Sequence, residues 1–259
     1  MGWVEAGRGW GARAKEWAYL FEPYARTANE LIFDRIGAES GTALLDVACG
    51  SGFAASLAAA RGCTVTGLDA ADPLLEIARA RTPAGTFVCG DMFAMPFSDG
   101  SFDAATSFNG IWKGCEQALS ETNRVLKPGG RVGLTFWGPF ERLGLLPYFM
   151  KVMELSAERH GGAMMTQGDT GSQGVIEDMF SATGFEFVDR GTVEVVNEWP
   201  DVATAVRAMA AAGPSAPAIE NVGYDVFVDA LTDVVAPVYD DTVGVRISSE
   251  FGWVTARAN

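Results

Sequence analysis

The sequence predicts an α/β fold built on a doubly wound, mainly parallel sheet. Three observations carry this expectation. From Thr42 onward, short apolar runs alternate with helical patterns. The first run, Leu44-Leu45-Asp46-Val47, passes through a Gly50-Ser51-Gly52 turn into an alanine-rich helix start. Later junctions are punctuated by Asp72-Pro73 and by Lys127-Pro128-Gly129-Gly130.

Ahead of the first strand, residues 10–36 read as helical, with Pro23 breaking the run. Trp10, Trp17, Tyr19, Phe21 and Tyr24 make this segment rich in aromatics, and residues 1–41 are expected to form a helical lid. Strands follow at 43–47, 63–69, 85–89, 103–108 and 131–137, with helices at 51–61, 72–81 and 114–126. Asp72 is expected to cap its helix, with Pro73 at the first helical position. Beyond Trp137 the alternation weakens. A helix is expected at 146–157, a Gly-, Met- and Thr-rich loop at 160–174, a helix at 174–183 and a strand at 185–196. Helices at 201–212 and 221–236 are separated by Gly213-Pro214-Ser215-Ala216-Pro217, and a last strand spans 242–257. The organisation expected is therefore a lid (1–41) and one α/β domain (42–259) with helical insertions at about 138–174 and 197–240.

Composition narrows the function classes. At 259 residues with 16 Phe and 7 Trp, the chain can fill one large core. A net charge of -14, with only 19 scattered basic residues, argues against nucleic-acid binding, which needs clustered Lys and Arg. Cys49, Cys63, Cys89 and Cys115 form no CxxC pair and His160 is the lone histidine, so no metal site is expected. Cys63 and Cys89 read as buried small hydrophobes. The N-terminal residues lack the basic-then-apolar pattern of a leader, and no run reaches membrane-span length. A cytoplasmic protein without a membrane partner, monomeric or homodimeric, is the resulting expectation.

Gly50-Ser51-Gly52-Phe53-Ala54-Ala55 fits the G-x-G-x-x-A dinucleotide fingerprint, and Asp69 ends the next strand where an acid can bind ribose hydroxyls. That pattern alone would admit a nicotinamide dinucleotide. Three features turn the preference. Asp46, four residues before Gly50, would repel a pyrophosphate and attract a sulfonium or an ammonium. Gly90-Asp91-Met92 offers an acid for an adenine amino group and an apolar side chain for the ring face. No Tyr-x-x-x-Lys pair or comparable hydride-transfer set is visible.

On these stretches, together with Val65-Thr66-Gly67-Leu68-Asp69, Ser101-Phe102-Asp103 and Arg124-Val125-Leu126-Lys127-Pro128-Gly129-Gly130-Arg131, the chain resembles the class I S-adenosylmethionine-dependent methyltransferases. Within them it is most similar to the methyltransferase type 11 group related to ubiquinone and menaquinone biosynthesis. The resemblance covers about 42–137. It implies a Rossmann-like seven-stranded sheet with the last strand antiparallel. It also implies S-adenosylmethionine as cofactor, with Gly50 and Gly52 facing its methionine part and Asp69 on the ribose. Ala70 and Met92 would lie on the adenine, Asp91 at its amino group and Phe108 near the reacting methyl. Asp46 and Trp17 complete the expected cofactor set. Ala48 stands where the family has its first glycine, and its small methyl is expected to leave binding intact.

Methyl transfer from a sulfonium needs alignment and exclusion of water more than a dedicated catalytic residue. His160 is a candidate general base for an O- or C-acceptor. Asn109 and Trp112, after the fourth strand, Trp137 at the end of the fifth, and Tyr24 are candidates for substrate contact. Trp10, Arg13 and Trp17 could close the pocket from above. Such an aromatic enclosure would suit a flat or apolar small molecule. The alternative is an enzyme that binds the same cofactor and acts as a cyclase or isomerase without transferring the methyl.

Overall fold

A computed structural model describes residues 2–156 and 170–259. Five parallel strands form the first half of the sheet: β1 (Ala43–Val47), β2 (Thr64–Asp69), β3 (Thr86–Cys89), β4 (Phe102–Phe108) and β5 (Leu126–Trp137). Two 15-residue strands, β6 (Phe185–Trp199) and β8 (Gly244–Ala258), complete it, and the order is β3-β2-β1-β4-β5-β8-β6. The last strand, β8, runs antiparallel between β5 and β6. The expected seven strands are all present. A further two-residue strand, β7 (Tyr239–Asp240), pairs with β8 off the main path.

Helices cover both faces because the strands are apolar on both sides. On one face lie α3 (Arg26–Ile36), α4 (Phe53–Ala60) and α5 (Asp72–Arg81); Ile32 and Phe33 of α3 pack with Leu44, Val65, Ala104 and Trp253. On the other lie α6 (Glu116–Val125) and α8 (Val175–Ala182), packed on Leu45, Val47, Leu134 and Val254. A third cluster joins the insertions: α7 (Leu146–Leu155), α9 (Val202–Ala210) and α11 (Tyr224–Val235) gather around Tyr148, Met209, Phe227 and Leu231.

Several local expectations are corrected. The segment before β1 is not one helix broken at Pro23. It comprises α1 (Trp3–Gly11), the short α2 (Ala14–Glu16), a π-helical turn at Trp17–Phe21, a 3-10 turn at Glu22–Ala25 and then α3. Asp72 does not cap α5: Ala71 is the capping residue, and its N–H is taken by the Asp69 carboxylate at 2.8 Å. Residues 213–217 are not merely a break. Helix α10 (Ser215–Val222) starts there, because Pro214 precedes it and Pro217 lies in its first turn, where a missing N–H costs nothing. Cys63 is buried as expected, but Cys89, at the end of the edge strand β3, is exposed.

The strand order reverses between β1 and β4, so the crevice where such sheets take ligands opens beyond Asp46 and Thr106, which are paired across those two strands.

Candidate functional site

At that crevice β1 ends in Asp46, and the chain turns sharply through Ala48, Gly50 and Gly52, all with positive φ (57°, 55° and 71°). Only glycine takes this region at no steric cost, so Ala48 holds a left-handed conformation against its own Cβ. The two glycines do different work. A Cβ on Gly52 would lie 2.6 Å from the Ala78 Cβ and 3.0 Å from its Cα, so this residue lets α4 approach α5 rather than facing a ligand as expected. A Cβ on Gly50 would instead point out of the turn, 2.8 Å from Glu22 Oε1 and 3.7 Å from Trp17 Nε1. Gly50 therefore faces the crevice, beneath the lid.

Asp69 pins the turn. Its carboxylate accepts from the N–H of Gly50 and from that of Ala71, each at 2.8 Å, and so ties the glycine turn to the start of α5. Burial raises its pKa, while these donors oppose the rise. Each oxygen keeps lone-pair capacity for a ligand hydroxyl.

Asp46 is 1% exposed. One oxygen accepts from Thr106 Oγ1 at 2.9 Å, and Oδ2 has no partner among the described residues. Burial pushes this carboxyl up to about 7, against the Thr106 hydrogen bond and helped by the charges of Glu22 and Asp69. The Cys49 thiol, amid the same acids, is pushed well above its ordinary range, first by burial and then by Asp69, Asp46 and Glu22.

Glu22 was not foreseen. It accepts from the N–H of Ser51 at 3.2 Å and from the Ser51 hydroxyl, and it forms an ion pair with Arg81 at 2.8 Å. Arg81 also donates to the carbonyls of Ser51 (3.1 Å) and Ala18 (2.6 Å), so one guanidinium joins α5, the turn and the lid. Burial raises the Glu22 pKa despite Ser51 and Arg81. No motif marks Glu22 in the sequence; its partners lie 29 and 59 residues away.

The lid's aromatics run from the turn to the sheet. Trp10 meets Trp17 edge-on (4.8 Å), Trp17 stacks on Phe21 (5.0 Å), and Tyr24 stacks on Trp137 (6.4 Å) and meets Phe251 (5.7 Å). Burial raises the Tyr24 pKa, opposed by a hydrogen bond with Asn109. Asn109 itself has φ 56°, and its side-chain oxygen accepts from Thr135. Tyr24, Asn109 and Trp137 are thus brought together.

Trp112 is not part of that group. It packs on the α6–α8 cluster with Met92 and Phe93. The ring of Phe108 turns onto α3, edge-on to Phe33 at 5.7 Å, away from the turn, because its position in β4 places it on the α3 face. Asp91 begins a turn by accepting from the Phe93 N–H at 2.9 Å, and both Asp91 and Met92 are half-buried. Ala70 meets α1, where a Cβ on Gly7 would collide with its carbonyl. Arg13 lies over the Tyr224 ring at 3.9 Å and so braces the lid against α11. His160 lies outside the described residues.

Three carboxylates thus surround one turn, with Arg81 as their cation. Among the described residues no group of His, Cys, Asp or Glu could hold a metal ion, so the excess negative charge suits an extended organic cation. The doubly wound sheet with an antiparallel last strand and a glycine turn at the switch point has a Rossmann-like architecture.

Residues 45–134 match the family model described as a methyltransferase domain. A demethylmenaquinone methyltransferase from Renibacterium salmoninarum is 36% identical over 141 residues, covering 52% of this chain and 59% of that protein. The chain therefore spans about three fifths of that relative's length. A solved structure of a putative methyltransferase from Bacillus halodurans is 19% identical, covers 90% of this chain and 99% of its own, and has a TM-score of 0.60. A solved [4+2]-cyclase is 22% identical over 90% of this chain and 81% of its own, with a TM-score of 0.59. These two likenesses show the fold alone.

Proposed function

We propose that the protein is an S-adenosylmethionine-dependent methyltransferase acting on a small-molecule acceptor. The observation that carries this reading is the set of Glu22, Asp46 and Asp69 around the glycine turn, with Arg81 paired to Glu22. A sulfonium cofactor bearing an ammonium group fits that field, and the unpartnered Asp46 Oδ2 is a ready acceptor. A pyrophosphate does not fit it.

When bound, the cofactor supplies a methyl group already activated for in-line displacement. The chain's residues align and enclose. Asp69 has free lone pairs for ribose hydroxyls while it pins Gly50. Gly50 leaves open the surface on which the methionine part would lie, and Glu22 must give way there. Asp91 and Met92 are the residues proposed for the adenine edge and face. Trp17 and Tyr24 cover the crevice, and water excluded beneath them strengthens every charge interaction inside. A base is required only for an acceptor that must lose a proton early.

A cytoplasmic location agrees with the four free cysteines. Among the described residues no helix is long and apolar enough to cross a membrane. Incubation with S-adenosylmethionine and a metabolite extract, read by mass spectrometry, tests the reading. A product carrying one added methyl together with S-adenosylhomocysteine is expected. A rearranged product of unchanged mass, without S-adenosylhomocysteine, would replace methyl transfer with the cyclase or isomerase alternative.

A further inference from the structure

A cleft of about 410 Å³ runs between the lid (α1 and α2) and the inserted helices α9 and α10, a volume within the range of small-molecule sites. Two contacts hold its sides together. Glu16 of the lid pairs with Arg207 of α9 at 3.8 Å, and Trp10 packs directly on Gly213, where a Cβ would collide with its ring. The cleft shares no lining residue with the glycine turn.

Its chemistry is divided. Ala210, Ala216 and Ile219 give it apolar walls, Arg13 is the cation of its lining, and Glu16 and Glu220 are the acids. The Arg13 guanidinium lies over the Tyr224 ring at 3.9 Å. Stacking uses the face of the group and leaves its edge, where the N–H donors lie, to a planar anion. Those donors reach no acceptor among the described residues. Glu220 likewise has no ion pair or hydrogen bond among the described residues, and Glu16 has only the long contact to Arg207. Helix α9 ends at this cleft with Ala210, so the negative end of its dipole adds to the two carboxylates. A bare anion would meet the acids here and a bare cation would meet Arg13. A molecule carrying both charges avoids both penalties.

We propose that this cleft is a binding site for an aliphatic α-amino acid, separate from the cofactor crevice. The carboxylate takes the free edge of Arg13, the ammonium takes Glu16 and Glu220, and the side chain lies on Ala210, Ala216 and Ile219. Because Glu16 directly precedes Trp17, an occupant ties down the lid segment that covers the glycine turn. The site does not rest on the methyltransferase reading.

The test titrates the full chain with L-leucine, with 4-methylpentanoate, which lacks the ammonium, and with 3-methylbutylamine, which lacks the carboxylate, by ligand-detected NMR. Saturating S-adenosylhomocysteine is present throughout, so that the amino acid does not report on the cofactor crevice. Wild type is expected to bind L-leucine about tenfold or more tightly than either analogue, the size of one charged hydrogen bond. Arg13→Gln should weaken L-leucine about tenfold while leaving 3-methylbutylamine unchanged or tighter. Glu220→Gln should weaken L-leucine about threefold while leaving 4-methylpentanoate unchanged or tighter. Glu220 is exposed, so its variant decides the case if Arg13→Gln does not fold. L-leucine bound no better than the analogues by wild type, or equally well by wild type and the folded variants, overturns the proposal. If S-adenosylhomocysteine does not bind while L-leucine is discriminated and the variants respond, the cofactor reading fails and this site stands.

Discussion

Glu22 accepts a hydrogen bond from the backbone N–H of Ser51 at 3.2 Å, so the lid closes on the glycine turn through a carboxylate. Arg81 holds that carboxylate, and the pair is largely buried, with side chains 14% and 16% exposed. Arg81→Leu would leave Glu22 beside Asp46 and Asp69 without a cation. Breaking a buried pair from one side costs about 3–5 kcal/mol, and partial exposure puts this case near the lower end. A fall in Tm of roughly 6–12 °C is expected by calorimetry, at 2–4 °C per kcal/mol for a chain of this size. The loss should shrink at acidic pH, where Glu22 takes up a proton.

Trp17 reports the same closure. Its indole nitrogen lies over Gly50, so a ligand seated on the turn must move it or cover it. Saturating S-adenosylmethionine is expected to change tryptophan emission, and Trp17→Phe to remove most of that change. An equal change in the variant would place the ligand elsewhere.

The acids give the ligand-free protein a definite pH dependence. Asp46 rises from about 4 when unfolded to about 7 when folded, chiefly by burial. Between those values the folded chain binds the extra proton, so stability is greatest at the acid end and is lost as pH rises through about 7. Glu22 and Asp69, also raised by burial, act in the same direction. Urea midpoints measured from pH 5 to 8 should fall, and Asp46→Asn should flatten the decline. Cofactor affinity should move oppositely, strengthening as Asp46 ionises.

Ala48 and Gly52 should respond in opposite ways. A left-handed alanine costs about 1–2 kcal/mol, partly offset by the greater chain entropy of glycine, so Ala48→Gly is expected to stabilise by about 0.5–1 kcal/mol. Gly52→Ala adds a Cβ against Ala78 in a left-handed position and should destabilise by about 2–5 kcal/mol. Denaturant titrations of both variants check the contrast.

The parallel half of the sheet was legible because each strand is a short apolar run ending in a turn signal, and local pattern decides such elements. The lid was legible as aromatic helix but not in its form. The π-helical and 3-10 turns at Trp17–Ala25 sit beside a tertiary contact, the Trp199 indole donating to the Leu20 carbonyl at 2.7 Å, 179 residues apart. Glu22 was invisible for the same reason. Phe108 and Trp112 could be placed after or at the end of β4 but not on a face of the sheet, since a strand end does not reveal which layer a side chain joins. Asn197 lies just past the strand expected at 185–196, which in fact runs on to Trp199, and Ser249 lies within the strand expected at 242–257; only their burial without partners singles them out.

Asp69 is where the central claim is most exposed, because the acid that pins Gly50 is also the proposed ribose contact. Isothermal titration of S-adenosylmethionine into wild type and Asp69→Ala, with circular dichroism to verify folding, measures it directly. Low-micromolar binding to wild type and none to the folded variant is the predicted result. Equal binding by both, or binding of NADH in place of S-adenosylmethionine, would contradict it.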